Sequence, residues 1–255
     1  MIYHLLTPFA DLNIFFNVFN YITFRTVSAV LTAMALSLFL GPLVIRKLSA
    51  LQIGQQVRAD GPKSHLVKSG TPTMGGILII GSVLISSLLW ARLDNSLVWV
   101  VIFITASFGT LGFIDDYMKV VRKNSKGVSA KKKMLWQSLC AIAIAVYLMA
   151  SGFSTELNIP FFKAFTPTLG FLFVPCVFLV IVGASNAVNL TDGLDGLAIG
   201  PVLTTAVSFI ILSYVVGHFN FAHYLNLHHV KGAGELAVVS GSILGAGLGF
   251  LWYHR

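Results

Sequence analysis

The chain has 255 residues, of which 56% are hydrophobic and only 10% are charged, with a formal net charge of +8. Soluble domains carry about 25% charged residues, so this composition excludes a soluble globule. A nucleic-acid-binding domain is excluded as well, because no basic face accompanies the net charge. The composition is typical of an all-α, polytopic bundle of transmembrane helices, forming a single integral membrane domain over residues 1–255.

The apolar stretches predict seven membrane-spanning helices. A helix needs about 20 mostly apolar residues to cross the hydrocarbon core of a bilayer. Cys140 and Cys176 both lie inside apolar stretches, so no disulfide framework is predicted. The predicted spans are 22–45, 74–91, 97–114, 134–152, 171–188, 197–216 and 236–253.

The loops between these spans differ sharply in charge. Residues 46–68 and 119–133 together hold 12 of the 17 Lys and Arg residues. Basic loops remain in the cytoplasm, which predicts a multi-pass protein with its N-terminus outside. Acidic groups at membrane depth are costly and are usually functional or paired. Four of the nine acidic residues fall at the predicted cytoplasmic ends, which indicates a site there: Asp115, Asp116, Asp192 and Asp195.

Two adjacent carboxylates, Asp115 and Asp116, end the third predicted span. Such a pair suits Mg²⁺, which binds a few carboxylates together with substrate phosphate oxygens. It also suits a base that removes a proton from an attacking group. The alternative is a solvated helix end, with the nearby lysines serving only as topology charges.

The segment 186–198 places polar side chains three residues apart. Successive members of such a series are neighbours on a helical surface, and Gly193 and Gly196 permit close approach by a ligand. This array could hold ribose hydroxyls, a base edge or a metal, whereas the alternative is a polar hairpin between two spans. Its members are Asn186, Asn189, Asp192 and Asp195.

A turn-rich segment, residues 68–76, precedes the second span. Thr73 is predicted to cap the following helix, and Lys68 adds positive charge near a helix start that favours an anion. Together with the acidic motifs, this segment is interpreted as part of a phosphate cradle.

Three other features are interpreted as structural. The histidines between residues 218 and 229 are irregularly spaced for a metal site. The glycines between 241 and 249 predict close helix packing in lipid. Glu235 is predicted to match the dipole of the last helix.

The segments 68–76, 112–123, 186–198 and 245–252 resemble those of the phospho-N-acetylmuramoyl-pentapeptide transferases, within the superfamily of polyprenyl-phosphate sugar-1-phosphate transferases. The resemblance runs through essentially the whole chain. It implies transfer of phospho-MurNAc-pentapeptide from UDP-MurNAc-pentapeptide to undecaprenyl phosphate, with Mg²⁺, giving lipid I and UMP for peptidoglycan synthesis. It also implies a ten-helix, homodimeric enzyme of the bacterial inner membrane, whose active site faces the cytoplasm.

The resemblance also assigns roles to individual residues. Asp115 would deprotonate the lipid phosphate, and Asp116 would arrange the metal and the diphosphate; direct transfer and a covalent intermediate are both compatible with this pair. The remaining implied positions bind substrate. Lys68, Lys119 and Lys123 would contact the nucleotide and phosphates, Gly193, Leu194 and Asp195 would form the uridine pocket, and Asn189 and Asp192 would be its polar neighbours.

The chain departs from the family pattern after residue 252. The family continues with a Phe-Met-Gly-Asp motif that holds a third, metal-binding aspartate, a histidine-bearing loop and three more helices. Here the sequence ends at Tyr253-His254-Arg255. The expectation from the sequence is therefore that these 255 residues are part of a longer transferase and are inactive alone, which robust turnover by the purified chain would contradict.

Three alternatives remain open from the sequence. A related transferase that moves N-acetylglucosamine phosphate shares the aspartate pair and the nucleotide pocket. A secondary transporter also uses intramembrane acids and glycine-broken helices, although near the bilayer midplane. The third alternative is an inactive remnant that only inserts into the membrane.

Overall fold

The computed structural model describes residues 1–50, 75–120, 127–159, 165–191 and 198–253. The chain forms two compact units, one of Met1–Val128 with Ile199–Arg255 and the other of Ser129–Ala198. The helices of the described ranges are α1 (Ile2–Leu6), α2 (Ile22–Ala50), α3 (Gly76–Trp90), α4 (Ser96–Val120), α5 (Ala130–Ala150), α6 (Phe173–Thr191), α7 (Ile199–Gly217), α8 (Phe219–Tyr224) and α9 (Leu236–Leu251).

Six of these helices, α2, α4, α5, α6, α7 and α9, are long and apolar enough to cross a membrane. The apolar helix α3 is shorter, with 15 residues. Each of the seven predicted spans coincides with one of these helices. Large apolar side chains such as Phe103, Leu179 and Ile211 are exposed on them, as expected where the surrounding solvent is lipid. The protein is therefore a multi-pass helical membrane protein, as predicted.

Helix α9 packs against α2 along a seam of glycines spaced four residues apart. A Cβ atom at Gly241 would lie 3.1 Å from the Thr26 carbonyl oxygen, and one at Gly249 would lie 2.8 Å from the Met34 carbonyl oxygen. At Gly245, a Cβ would overlap the backbone of Val30. Because only glycine allows this approach, the seam confirms the predicted close helix packing.

We expect Gly245→Ala to destabilise the first unit by about 1–3 kcal/mol, the usual cost of overpacking a core. The new methyl group would push α9 away from the backbone of α2, which cannot yield as a flexible side chain would. Thermal unfolding in detergent measures the effect. Gly81→Ala on α3 is the matched control, because a Cβ there meets nothing within 4 Å. Equal unfolding temperatures for the two variants would contradict the close approach.

Buried hydroxyl groups join α2 and α3. The Ser86 hydroxyl donates to the Ala29 carbonyl oxygen at 2.8 Å, and the Ser37 hydroxyl donates to Ser82 Oγ at 3.2 Å. All three serines are fully buried. Small residues that also supply hydrogen bonds let transmembrane helices approach closely without leaving polar groups unpaired.

A buried ion pair joins the start of α2 to the start of α9. Arg25 Nη1 and Nη2 donate to Glu235 Oε2 and Oε1 at 2.6 and 2.7 Å, and the two side chains are 1% and 6% exposed. The Arg92 backbone N–H also donates to Glu235, at 3.2 Å. The prediction that Glu235 matches a helix dipole therefore missed its main partner, which lies 210 residues away in sequence.

The loop between α3 and α4 carries a second ion pair, which is exposed. Arg92 Nη2 lies 2.6 Å from Asp94 Oδ2, and both side chains are more than 40% exposed. The hydrogen bond from Arg92 lowers the pKa of Asp94 below its usual value. Because the pKa of Asp94 is lower in the folded than in the unfolded protein, this small contribution is complete at neutral pH and is lost as the pH falls through the folded pKa.

The second unit is built on the helix pair α5 and α6. The chain between these helices contains an antiparallel bridge between Glu156 and Thr168, flanked by a hydrogen bond from the Leu157 N–H to the Pro167 carbonyl oxygen at 3.0 Å. The buried residues of α5 have the spacing of one face of a helix. They are Gln137, Cys140, Ala141, Ile144 and Ala145.

Candidate functional site

Asp115 lies near the end of α4 in the first unit and is only 5% exposed. Its Oδ2 lies 2.6 Å from Lys119 Nζ, one helical turn further along. Its Oδ1 accepts a hydrogen bond of 2.8 Å from the backbone N–H of Val128, beyond the helix. Both contacts stabilise a negative charge on the carboxylate, and each holds a different oxygen atom.

The helix continues further than the sequence predicts. The predicted span ends at residue 114, whereas α4 ends at Val120, so Asp115, Asp116 and Lys119 lie in its last turns. Apolar residues mark the extent of the hydrocarbon core, but backbone hydrogen bonds can continue a helix through polar residues. The Asp115–Lys119 pair, with Lys119 at the carboxyl end of the helix, supports this last turn.

Asp116 is half-buried, and its position differs from that of Asp115. Consecutive residues of an α-helix are about 100° apart around the helix axis, so the two carboxylates leave the helix in different directions. Asp115 is held by Lys119 and Val128, while Asp116 is the more exposed carboxylate of the pair. The two adjacent carboxylates therefore have different surroundings.

Lys119 is predicted from the resemblance to contact the nucleotide or phosphates, and the structure places its ammonium group on Asp115. Its side chain is 41% exposed, so Lys119 is accessible at the end of the helix while it contacts the buried carboxylate. This arrangement brings a positive charge to the aspartate pair, where a phosphate group would also be attracted.

A polar network in the second unit holds the end of α6. Asn186 Nδ2 donates to Gln137 Oε1 at 2.9 Å and to the Val182 carbonyl oxygen at 2.8 Å. Gln137 Nε2 donates to Ser185 Oγ at 3.1 Å. The sequence interpretation missed Gln137, for which the available signal was an amide on the otherwise apolar, buried stripe of α5.

Asn189 follows Asn186 after three residues and is exposed near the end of α6. Residues three apart on a helix are neighbours, so the network at Gln137 fixes the face of α6 next to Asn189. The structure thereby confirms the helical arrangement of the first two members of the series.

We expect Gln137→Leu to lower the stability of the α5–α6 pair by about 1 kcal/mol. The leucine keeps the volume but leaves Asn186 and Ser185 without this partner, and interhelical hydrogen bonds in membranes average about 0.6 kcal/mol with a maximum near 1.7. Thermal unfolding in detergent tests this. Ser138→Ala is the control, because the Ser138 hydroxyl bonds to the carbonyl oxygen of Met134 on its own helix. Equal unfolding temperatures for Gln137→Leu and Ser138→Ala would rule out a stabilising role for the network.

Other predicted residues lie outside the described ranges: Lys68, Thr73, Lys123, Asp192, Gly193, Leu194 and Asp195. Where α3 begins, Gly75 occupies the N-cap position without a capping side chain. Some predicted site residues fall inside the described ranges. Of these, Asp115, Asp116 and Lys119 lie together on α4, and Asn189 lies in the second unit.

The donor set on α4 fits a hard cation in part. Within the described residues no group of three or more His, Cys, Asp or Glu side chains converges. Both oxygens of Asp115 already accept from Lys119 and Val128. Asp116 is the more exposed carboxylate of the pair, and Mg²⁺ is commonly held by one or two carboxylates together with substrate phosphates.

Comparison with known proteins places this chain in a family. Residues 98–255 match the sequence profile of the family described as glycosyl transferase family 4, and residues 68–80 match the first signature of the phospho-N-acetylmuramoyl-pentapeptide-transferases. Three proteins of that name, from Citrifermentans bemidjiense, Pelobacter propionicus and Geobacter sp. strain M21, are each 55% identical to this chain over 255 residues. These matches cover all of the chain and 71% of each relative. The chain therefore belongs to glycosyl transferase family 4 and, within it, to the phospho-N-acetylmuramoyl-pentapeptide-transferases.

Proposed function

We propose that the protein transfers phospho-MurNAc-pentapeptide from UDP-MurNAc-pentapeptide to undecaprenyl phosphate in peptidoglycan synthesis. The observation that carries the proposal is the 55% identity, over the whole chain, to transferases named for the first of these groups. Asp115 is buried and accepts from two donors, and Asp116 beside it is half-buried. The pair supports the proposal because such a transfer needs a base and a carboxylate ligand for Mg²⁺.

The proposed reaction exchanges one diphosphate bond for another. An oxygen of undecaprenyl phosphate attacks the phosphorus that carries the sugar, and the bond from that phosphorus to the bridging oxygen of UMP breaks. The products are lipid I and UMP. Such transfers depend mainly on positioning of the reactants and on stabilisation of charge on the phosphate oxygens.

Asp115 is the proposed base for the acceptor phosphate. Its two oxygens accept from Lys119 and Val128, and each keeps a lone pair for a proton. Because the side chain is only 5% exposed, the acceptor reaches it by displacing one of these neighbours. Lys119 is the donor that can move, because its side chain is flexible and 41% exposed, whereas Val128 donates through its backbone. The displaced ammonium group would then lie close to the phosphates.

Asp116 is the proposed protein ligand of Mg²⁺. When bound, Mg²⁺ supplies positive charge that orients the diphosphate and offsets its negative charge. The resemblance assigns nucleotide and phosphate contacts to Lys68 and Lys123, and the uridine pocket to the segment 192–195, next to Asn189. These assignments are proposals that rest on the sequence resemblance, and Lys68, Lys123 and residues 192–195 lie outside the described ranges.

The proposed location is the bacterial inner membrane, with the aspartate pair on the cytoplasmic side and the enzyme acting as a homodimer. The membrane helices of the structure and the positive charge of the loops 46–68 and 119–133 support this orientation.

A transfer assay tests the proposed function. Membranes that contain the native gene product are incubated with UDP-MurNAc-pentapeptide, undecaprenyl phosphate and Mg²⁺, and the formation of UMP and lipid I is followed by mass spectrometry. We expect both products only when all components are present. Parallel reactions with UDP-N-acetylglucosamine test the alternative donor. Transfer of that sugar phosphate in place of the muramyl peptide would overturn the proposal.

A further inference from the structure

We infer that Gly127 is a positioning residue for Asp115, because it presents the Val128 N–H to the carboxylate at a distance that leaves no room for a side chain. The inference rests on the proposed role of Asp115 in transfer. It adds a functional residue that lies outside the aspartate motif and that the sequence pattern does not single out.

Two independent demands on residue 127 favour glycine. Its φ angle is +59°, in the left-handed region that L-amino acids with side chains rarely adopt. A Cβ there would also lie 2.5 Å from Asp115 Oδ1 and 2.8 Å from Lys119 Cε, far inside van der Waals contact. Asparagine, which tolerates the left-handed region better than most residues, would still collide with the carboxylate.

The position of Gly127 matters because of the residue that follows it. The Val128 N–H donates to Asp115 Oδ1 at 2.8 Å, so a displacement of this turn withdraws the donor that fixes one carboxylate oxygen. Lys119 fixes the other oxygen from the helix itself. With one donor from α4 and one from beyond it, the carboxylate plane is held against rotation. Displacement of a reacting group by about 1 Å can cost about 100-fold in rate.

The chain offers a matched control at Gly170. This glycine has a similar φ angle of +51°, but a Cβ on it would meet nothing within 4 Å. Gly170→Ala therefore imposes the same backbone demand as Gly127→Ala without the collision. Any difference between the two variants reports the contact with Asp115 and Lys119.

The first experiment measures steady-state transfer by the native gene product carrying either substitution. We expect Gly127→Ala to lower kcat at least tenfold, with a smaller effect on KM for UDP-MurNAc-pentapeptide, because the methyl group displaces a donor to Asp115 and also presses on Lys119. We expect Gly170→Ala to leave both constants within twofold. A Gly127→Ala enzyme with the kcat of the Gly170→Ala enzyme, or with a loss confined to KM, would overturn the inference.

The second experiment needs no activity and compares unfolding temperatures in a double-mutant cycle. Asp115→Ala removes the carboxylate that the new methyl group would strike, so Gly127→Ala should lower the unfolding temperature less in that background than alone. Additive shifts in the unfolding temperature would overturn the inference. If Gly127→Ala alone fails to fold, a double variant that also fails to fold would overturn it too. If the unsubstituted protein shows no transfer, the proposed function fails, while this cycle still tests the contact.

Discussion

Asp115→Asn should reduce the rate of transfer by about 10²- to 10⁴-fold, the usual contribution of a positioned base. The amide has nearly the shape of the carboxylate, and its oxygen can still accept the hydrogen bond from Val128 that the structure shows at 2.8 Å. It cannot accept a proton from the acceptor phosphate, and it removes the negative charge opposite Lys119. The loss should therefore appear in kcat, with KM for the nucleotide substrate little changed.

The measurement is UMP release by the native gene product at saturating concentrations of both substrates. Asp94→Asn is the control, because Asp94 is an exposed carboxylate in the loop between α3 and α4, paired with Arg92. Its substitution removes the same charge from the same unit at the opposite end of α4. A kcat for Asp115→Asn within twofold of that for Asp94→Asn would contradict the role of Asp115 as the base.

The sequence predicts that the aspartate pair lies at the end of a membrane helix, but it does not predict where that helix ends. Two adjacent aspartates at a span end are visible without a structure, and the family resemblance names their roles. The helix end is not visible, because apolar patterning stops at residue 114 while the helix continues to Val120. Consequently the contact between Asp115 and Lys119 could have been recognised only from the spacing of four residues.

The contacts that hold the predicted residues in place within each unit could not be predicted in the same way. Gly127 lies in a lysine-rich stretch of sequence where a glycine has no distinctive signal, and its proposed role appears only when the distance to Asp115 Oδ1 is known. Gln137 contacts Asn186 across 49 positions of sequence. A single sequence carries little information about such pairs, because their partners are set by helix packing and not by local spacing.

The buried ion pair of Arg25 and Glu235 should contribute strongly to stability. Glu235→Ala should destabilise the protein by about 3–5 kcal/mol, the usual result of removing one partner of a buried ion pair. The Arg25 side chain is 1% exposed, so its guanidinium would be left without its carboxylate in a place where water cannot compensate. Its aromatic neighbour Tyr3, whose ring centre lies 4.8 Å from the guanidinium carbon, would not replace the charge.

The exposed pair provides the matched control for this prediction. Arg92 and Asp94 are 2.6 Å apart, as are Arg25 and Glu235, but their side chains are more than 40% exposed, and exposed pairs contribute about 0–1 kcal/mol. Asp94→Ala should therefore change the unfolding free energy little. Equal effects of Glu235→Ala and Asp94→Ala in thermal or denaturant unfolding would contradict the importance of burial.

A double replacement separates the value of the pair from the cost of breaking it. In Arg25→Met with Glu235→Leu neither charge of this pair remains, so we expect this protein to be more stable than Glu235→Ala, because apolar replacement of a whole buried pair is often neutral. The Arg92 backbone N–H would lose its acceptor in the same variant, which should leave a residual cost of about 1–3 kcal/mol. A double variant no more stable than Glu235→Ala would show that the unpaired charge of Arg25 is not the cause of the loss in Glu235→Ala.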